Sequence, residues 1–438
     1  MDQQLVRSLR EQVAEVLARQ RREDASNGLP PMSSEDERQF ARAVVSRVLD
    51  GHAREEVTAG RKPPTHEEEA QLAEGIHAAL FGVGRLQPLL DDPEVENIDI
   101  NGYDNVFIGY ADGREERGIP IADNDDELVE LVQVLGAYSG LASRPFDTAN
   151  PQLDIRLPDG SRLSAVMGVC QRPSLSIRRA RIQRATLDMM IDYGSISPEL
   201  AAFLSAAVRA RKNIMIAGAT NAGKTTLLRA LANEIDPSER LITVERALEL
   251  GLGEFADLHP NVVAFEERLA NSEGQGAIKM AELVRRSLRM NPSRVIVGEV
   301  LGDEIVTMLN AMSQGNDGSL STIHANSSLE VFNRICTYAI QSVERLPADA
   351  TMMLIAGAID FVVFVERKND FAAGGKLRRM VTSVREVNGV DGRVLSSEVF
   401  SACPDGYALP ASSISCLDEL EAVGYAPGAQ AAWVEAVS

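Results

Sequence analysis

Eight consecutive residues have the types and the spacing of a phosphate-binding loop. In chain order they are Gly218, Ala219, Thr220, Asn221, Ala222, Gly223, Lys224 and Thr225, and Thr226 follows them directly. They fit the pattern G-x-x-x-x-G-K-[ST], whose glycines let the backbone point successive N–H groups at phosphate oxygens. In such a loop Lys224 would neutralise the β- and γ-phosphates, and the Thr225 hydroxyl would ligate Mg²⁺. This segment therefore predicts a site for a nucleoside triphosphate with Mg²⁺.

The sequence on both sides of the loop supports this prediction. An apolar run at 214–217 precedes the loop, and apolar residues follow it at helical spacing, at Leu228, Leu231 and Ile235. A helix that starts at the loop adds its dipole to the N–H groups and favours an anion there. The alternative is a chance match in a chain rich in glycine and alanine. The sequence contains no N-K-x-D motif for reading guanine, so ATP is preferred to GTP.

Hydrolysis needs, in addition, a carboxylate that holds Mg²⁺ or orients the attacking water. Two glutamates close apolar runs downstream of the loop: Glu245 follows 241–244, and Glu299 follows 295–298. Because the carboxyl ends of parallel strands meet at one edge of a sheet, both are candidates for the catalytic carboxylate. A glutamate at a strand end is also a common solvated residue, and that alternative stays open here.

The segment 318–326 places serine, threonine, histidine and asparagine on one short strand and its exit loop. In a parallel sheet, this strand would deliver His324 to the edge beside the phosphates. His324 is one of 5 histidines in the chain, and a lone histidine often has a structural role. From the residues alone, a catalytic and a structural His324 are equally favoured.

Apolar strand runs alternate with helical segments between 212 and about 366, which indicates a parallel sheet built from βα units. The predicted strands lie at 214–217, 241–244, 295–297, 321–323 and 361–365, and a terminal hairpin is predicted at 375–400. Upstream, shorter strands at 95–100, 106–110, 152–157 and 162–167 indicate a separate, mixed α/β domain. The fold class predicted from this pattern is α/β.

These patterns divide the chain into four predicted segments. They are a helical N-terminal extension (1–70), an α/β N-terminal domain with a linker (71–185), an ATPase domain (186–400) and a loosely packed C-terminal tail (401–438). Two Thr/Ser-x-x-Glu patterns predict capped helices near the N-terminus, Ser34 with Glu37 and Thr65 with Glu68.

The composition is that of an ordinary globular protein, with 438 residues, 45% hydrophobic and 25% charged. This excludes a wholly disordered chain. No stretch approaches the roughly 20 apolar residues of a membrane helix, and we expect a cytoplasmic protein that reaches a membrane only through partners. The net charge of −20 repels phosphate backbones, which makes nucleic acid an unlikely partner.

The motifs together resemble the Walker A, Asp box, atypical Walker B and His box of secretion and pilus ATPases. This superfamily contains the motors of type II secretion, type IV pili and type IV secretion. Within it, four further segments resemble the CpaF-like ATPases of tight-adherence (Flp) pilus systems: 84–90, 157–162, 175–179 and 283–292. The resemblance covers residues 80–400 of the chain.

The resemblance implies a RecA-like motor domain behind an α/β N-terminal domain, with ATP and Mg²⁺ at the junction of the two. It implies a homo-oligomeric ring, usually a hexamer, whose motion passes to inner-membrane platform proteins and assembles or retracts pilins. The residue roles it implies are the Walker B carboxylate and Mg²⁺ ligand for Glu299, the Asp-box carboxylate for Glu245, a phosphate sensor for His324, and phosphate-sensing arginines for Arg178 and Arg179.

Three residues depart from the family pattern. Arg246 stands where an acidic residue is usual, Leu301 replaces an arginine, and Asn316 replaces a histidine. We expect Arg246 to pair with Glu245 or Glu249 and to slow the isolated protein. Two alternatives to a pilus motor remain: a conjugation-type motor, and a weakly active subunit that binds nucleotide as a switch.

Overall fold

The protein is described by a computed structural model. It covers residues 34–65, 83–138, 145–157, 159–179, 184–268, 275–370, 376–404 and 406–428, with single residues and short stretches at 5–20, 68–70, 72–73, 76 and 270. Two compact units make up the chain. The first is Met1–Gly109, Glu115–Leu153 and Ser164–Ile177, and the second is Tyr110–Arg114, Asp154–Leu163 and Arg178–Ser438.

The helices and strands are numbered in chain order. The helices are α1 (Ser34–Thr58), α2 (Gln87–Asp91), α3 (Asp125–Tyr138), α4 (Leu187–Asp192), α5 (Pro198–Arg209), α6 (Lys224–Ala232), α7 (Met280–Ser287), α8 (Glu304–Met312), α9 (Glu330–Gln341), α10 (Ala348–Ala358) and α11 (Leu417–Ala422). Short 3₁₀ turns lie at Gly84–Leu86 and Leu252–Glu254. The first six strands are β1 (Val95–Asn101), β2 (Val106–Tyr110), β3 (Glu115–Arg117), β4 (Gln152–Arg156), β5 (Arg162–Val166) and β6 (Ser174–Arg178), and parts of β2, β4, β5 and β6 belong to the second unit.

The remaining strands belong to the second unit. They are β7 (Ile214–Gly218), β8 (Leu241–Glu245), β9 (Val262–Glu266), β10 (Arg294–Val300), β11 (Leu320–His324), β12 (Phe361–Asp370), β13 (Lys376–Val390), β14 (Val394–Ala402) and β15 (Ala408–Pro410).

In the first unit, described residues near the N-terminus form a small core of their own. Leu9, Val13 and Leu17 are buried in one cluster with Val44 of α1 and with Ile76. The spacing of these apolar residues is that of one face of a helix.

The capping box predicted at Thr65 is confirmed. The Thr65 amide donates to Glu68 Oε2 (2.7 Å), and the Glu68 amide donates back to Thr65 Oγ1 (3.3 Å). The other predicted box, Ser34 with Glu37, lies outside the described side chains. The six-stranded sheet that follows has the order β3-β2-β1-β6-β5-β4.

The second unit is built on a nine-stranded sheet in the order β15-β14-β13-β12-β7-β11-β10-β8-β9. The six strands from β12 to β9 pair in parallel, and β13, β14 and β15 extend the sheet in antiparallel pairs. All five predicted parallel strands and the terminal hairpin are present. The predicted α/β fold class is therefore confirmed.

The central strand β7 shows why this sheet lies between two layers of helices. All of its residues are buried. Ile214 and Ile216 pack in one cluster with α5 and α6, whereas Met215 and Ala217 pack in the other with α8, α9 and α10. A strand covered on both faces reads as a continuous apolar run, which is how this segment stands in the sequence.

Sequence analysis missed four strands. β9 lies at the edge of the parallel sheet and is only half-buried, and β3 and β15 are three residues long. β6 was not predicted, although Leu175 and Ile177 alternate inward in it.

The described residues of the segment predicted to be a loosely packed tail, 401–404 and 406–428, pack against the rest of the second unit. β15 pairs with β14, Leu420 of α11 is fully buried, and Tyr425 stacks edge-on against Phe203 at 5.9 Å. Glu386 accepts the backbone amides of Ser415 and Cys416, which anchors the approach to α11. This packing was not predicted, because only a few apolar residues provide it in a segment that is otherwise mostly polar.

No helix among the described residues is long and apolar enough to cross a membrane.

Candidate active site

The phosphate loop joins β7 to α6, as predicted, and the backbone geometry requires glycine at two of its positions. A side chain at Gly218 would place its Cβ 2.3 Å from the carbonyl oxygen of Val365 on the neighbouring strand. Gly223 has φ +99° and forms the N-cap of α6, a conformation that favours glycine. Ala219 and Thr220 are exposed at the tip. The loop thus has the tight turn, the exposed backbone and the helix start that a phosphate group requires.

Asn221 and Arg379 make a contact at the loop that the sequence analysis missed. Asn221 adopts a left-handed conformation with φ +60°, and its carbonyl oxygen accepts a hydrogen bond from Arg379 Nε at 2.9 Å. Arg379 belongs to β13, 158 residues further along the chain. No local pattern could have paired the two; the only signal was a run of basic residues in the predicted hairpin.

Lys224 is 7% exposed and lies under the loop. Its Nζ donates to the carbonyl oxygens of Gly218 (3.1 Å) and Ala219 (2.9 Å) and lies 3.2 Å from His324 Nδ1. Burial lowers the pKa of Lys224 to about 8, against an opposing effect of the Glu299 charge. The amine therefore lies at the loop, in reach of any phosphate bound there.

His324 connects Lys224 to Glu299. Its Nε2 lies 2.7 Å from Glu299 Oε1, so the three side chains form one continuous chain of contacts. Burial of Glu299 acts to raise its pKa, but the hydrogen bond from His324 and the charges of His324, Lys224 and Arg162 outweigh it and lower the pKa below the ordinary value. The carboxylate is thus held ionised beside the phosphate loop.

Glu245 lies deeper, with only 3% of it exposed. Its Oε2 accepts the backbone amides of Glu249 (2.7 Å) and Leu250 (2.8 Å), and its Oε1 accepts the Thr243 hydroxyl (3.2 Å). Burial raises its pKa to about 7, although these hydrogen bonds act in the opposite direction. The predicted strand-end position is correct, and the carboxylate holds the loop that follows its own strand.

The raised pKa of Glu245 makes stability depend on pH. The folded state keeps the proton up to about pH 7, whereas the unfolded chain releases it near 4.5. The contribution of Glu245 to the free energy of unfolding is therefore fully present below pH 4.5 and is lost as the pH rises through 7. We expect Glu245→Gln, whose amide can accept and donate at the same partners, to remove this dependence. Relative to the variant, wild type should lose up to about 3 kcal/mol of unfolding free energy between pH 4.5 and pH 8, measured by chemical denaturation. Parallel pH profiles would contradict this expectation.

Arg246 does not pair with Glu245 or Glu249, which corrects the sequence-based expectation. Its Nε lies 3.8 Å from Glu267 Oε2, and its side chain is 48% exposed. Glu245 already accepts backbone amides, and Glu249 pairs with Arg162. Position 246 follows the buried end of β8 and points to the neighbouring edge strand, so its guanidinium lies away from the buried carboxylate.

Arg246→Asp is therefore expected to leave basal ATP turnover within about twofold of wild type. An exposed ion pair at this distance is typically worth about 0–1 kcal/mol, and its loss does not touch Glu245. Steady-state turnover of the purified chain without partners measures this. A severalfold increase would restore the interpretation of Arg246 as an inhibitor.

The other predicted site residues are placed as follows. Thr225 and Thr226 are half-buried in the first turn of α6, where the predicted Mg²⁺ ligand belongs. Arg178 is exposed. Its positive charge lowers the pKa of Lys224, but this effect is smaller than the lowering by burial and the raising by the Glu299 charge. Arg179 is half-buried. The roles assigned to Thr225, Arg178 and Arg179 therefore remain predictions.

The donor set fits Mg²⁺ bound together with a nucleotide. The described residues contain no group of three or more His, Cys, Asp or Glu side chains that could hold a metal by themselves. Mg²⁺ usually takes one or two protein oxygens and completes its shell with water and substrate phosphates. Thr225 and Glu299 would be those protein ligands.

A phosphate loop between a central parallel strand and a helix, with a glutamate and a histidine supplied by neighbouring strands, defines a P-loop protein with a RecA-like sheet. The chain belongs to the type II/IV secretion system protein family, whose sequence model matches residues 82–397.

Two relatives in sequence agree with this membership. The chain is 33% identical over 335 residues to a Mycobacterium tuberculosis protein named "Putative conjugal transfer protein", covering 75% of this chain and 90% of that one. It is 31% identical over 313 residues to the type IV secretion system protein VirB11 of Brucella suis, covering 65% and 84%. The crystal structure of the Brucella suis VirB11 ATPase with sulphate superposes with a TM-score of 0.37 at 28% identity, covering 69% of this chain and 92% of that chain.

Proposed function

We propose that this chain is an ATP-hydrolysing motor of a pilus-assembly or secretion system. The observation that carries the proposal is the contact chain from Lys224 through His324 to Glu299 at the mouth of the phosphate loop. It places one imidazole within hydrogen-bond distance of both a cation and an ionised carboxylate. These are the groups that phosphoryl transfer needs, since its catalysis rests on positioning and charge stabilisation.

Each side chain has a role that follows from its position. Lys224 supplies positive charge to the β- and γ-phosphates, and it must exchange the Gly218 and Ala219 carbonyls for phosphate oxygens to do so. Glu299 orients the attacking water and accepts its proton, for which its lowered pKa keeps it ionised. His324 holds Glu299 and touches Lys224, so it links the carboxylate to the lysine. Mg²⁺ held by Thr225 and Glu299 would add the divalent charge that phosphoryl transfer uses.

Family resemblance supports the finer assignment to the CpaF-like motors of tight-adherence pili. Its signals are the helical segment 283–292 that leads into β10 and the upstream segments 84–90, 157–162 and 175–179. On this proposal the chain works as a homo-oligomeric ring, a hexamer in the usual case, and acts on inner-membrane platform proteins from the cytoplasmic face. Arg178 and Arg179 would then sense phosphate.

A conjugation-type secretion motor is the second candidate. The names of two relatives favour it, since one refers to conjugal transfer and the other to type IV secretion. The net charge of −20 argues against direct contact with nucleic acid. DNA binding that weakens steeply with salt would support this candidate over the pilus motor.

The proposal is tested by Mg²⁺-dependent ATP turnover of the purified full-length chain, with light scattering on the same sample. We expect hydrolysis that stops with excess chelator, in a particle several times the mass of one chain. Tight ATP binding without turnover would leave only a nucleotide-binding switch. Full activity in a strict monomer would contradict the ring.

A further inference from the structure

The strand that carries Glu299 is irregular next to the site. Positions 297 and 300 of β10 pair with positions 321 and 323 of β11, so β10 has two residues where β11 has one. The two residues are Gly298 and Glu299, and the one residue opposite them is Thr322. An extra residue in one strand is a β-bulge, which bends the strand and redirects a side chain, and bulges are frequent beside active sites.

The Thr322 side chain holds this bulge. Thr322 is 1% exposed, and its Oγ1 donates to the Gly298 carbonyl oxygen at 2.7 Å. A bulge interrupts the hydrogen-bond ladder locally, so the carbonyl of the half-buried Gly298 needs another partner. The Thr322 hydroxyl provides one, on the peptide that leads directly into Glu299.

Position 298 has no room for a side chain next to Glu245. A Cβ there would lie 2.9 Å from Glu245 Cγ, so glycine lets β10 pass close to the Glu245 side chain. The Thr322 hydrogen bond lies on the other side. Two residues beyond Thr322, His324 contacts the Glu299 carboxylate at 2.7 Å. β11 therefore contacts β10 both just before Glu299 and at its carboxylate.

We propose that Thr322 is a positioning residue that fixes the direction of Glu299 through the Gly298 carbonyl. This inference rests on the proposed ATPase function, in which Glu299 orients the attacking water. Without the hydroxyl, the bulge loosens and the carboxylate leaves the geometry held by His324. Thr322 itself touches neither the phosphate loop nor the Glu299 carboxylate.

The same strand offers a matched control. Ser321 is fully buried and directly precedes Thr322, but its hydroxyl has no hydrogen-bond partner. Removing that hydroxyl deletes a similar group in the same strand without changing the bulge. Ser321→Ala should therefore keep wild-type turnover.

The test compares four variants of the full-length chain: Thr322→Val and Thr322→Ala, which lack the hydroxyl, Thr322→Ser, which keeps it, and Ser321→Ala. We expect kcat to fall about 10- to 100-fold in the first two, as a displacement of about 1 Å can cause. KM for ATP should stay within about threefold, since Lys224 and the phosphate loop are unchanged. Thr322→Ser should restore kcat to within about threefold of wild type, a rescue that loss of packing alone would not produce.

Amide hydrogen exchange in the nucleotide-free protein supplies a second readout. The peptide that contains Gly298 and Glu299 should exchange faster in Thr322→Val and Thr322→Ala, and at the wild-type rate in Thr322→Ser and Ser321→Ala. The inference is overturned by wild-type kcat in Thr322→Val, by a Ser variant as slow as the Val variant, by an equal loss in Ser321→Ala, or by unchanged exchange. Absence of turnover in wild type would refute the proposed function instead, while the exchange comparison would still test the positioning role.

Discussion

Lys224→Ala is expected to reduce ATP turnover by at least about 10²-fold and to weaken nucleotide binding, because the phosphates lose their main side-chain counterion. The amine lies 2.9 Å from the Ala219 carbonyl and 3.2 Å from His324, so its loss affects both the loop and the His324–Glu299 pair. Steady-state turnover and binding of a fluorescent ATP analogue measure the two effects. Wild-type turnover in this variant would refute the site assignment.

Lys212→Ala is the matched control for that experiment. Lys212 is 9% exposed, close to the 7% of Lys224, and it directly precedes the Asn213–β7 segment at the opposite end of the strand. Its Nζ contacts Glu419 at 2.7 Å, away from the phosphate loop. The Lys212→Ala variant should retain wild-type ATP turnover at temperatures where it is folded. Equal losses in both variants would indicate general destabilisation and remove the support for Lys224.

Glu299→Gln is expected to behave differently, keeping ATP bound while turnover falls by about 10²-fold or more. Glutamine preserves the shape and can still accept from His324, but it cannot take the proton of an attacking water. The variant should therefore separate binding from hydrolysis. Single-turnover kinetics with pre-bound ATP measure the chemical step directly.

Glu267→Gln provides a control glutamate just beyond the end of another strand of the same sheet. Glu267 follows β9 and contacts Arg246 and the Met280 amide, far from His324 in the strand order. It should hydrolyse ATP at the wild-type rate. If Glu299→Gln also hydrolysed normally, Glu245 would become the better candidate for the catalytic carboxylate.

Much of the site could be predicted because its signals are local in the chain. The phosphate loop is eight contiguous residues between an apolar run and a helical one, so its motif and its supports appear together. Glu245 and Glu299 each follow an apolar run, His324 ends a short strand with two polar residues, and in a parallel sheet all such ends meet at one edge. Strands that are only partly buried, such as β9, were not predicted.

Pairings between distant segments could not be predicted. Arg246 was expected to pair with Glu245, its chain neighbour, yet the fold sets it against Glu267 and gives Glu245 two backbone amides instead. The contact of Arg379 with the Asn221 carbonyl depends on the β12–β13 hairpin passing beside the loop. Such contacts depend on which strands are neighbours, and side-chain chemistry alone does not determine that order.

The sequence by itself determined that this is an α/β protein with a phosphate loop, two candidate carboxylates and one candidate histidine, because strand ends and loop motifs are properties of short contiguous segments. The tertiary structure decided which of these groups touch. His324 reaches Lys224 across 100 residues of chain because β11 pairs directly with β7. It reaches Glu299 because β10 lies on the other side of β11 and bulges there. Strand order and one extra residue in a ladder, which arise from the packing of the whole sheet, assemble the site.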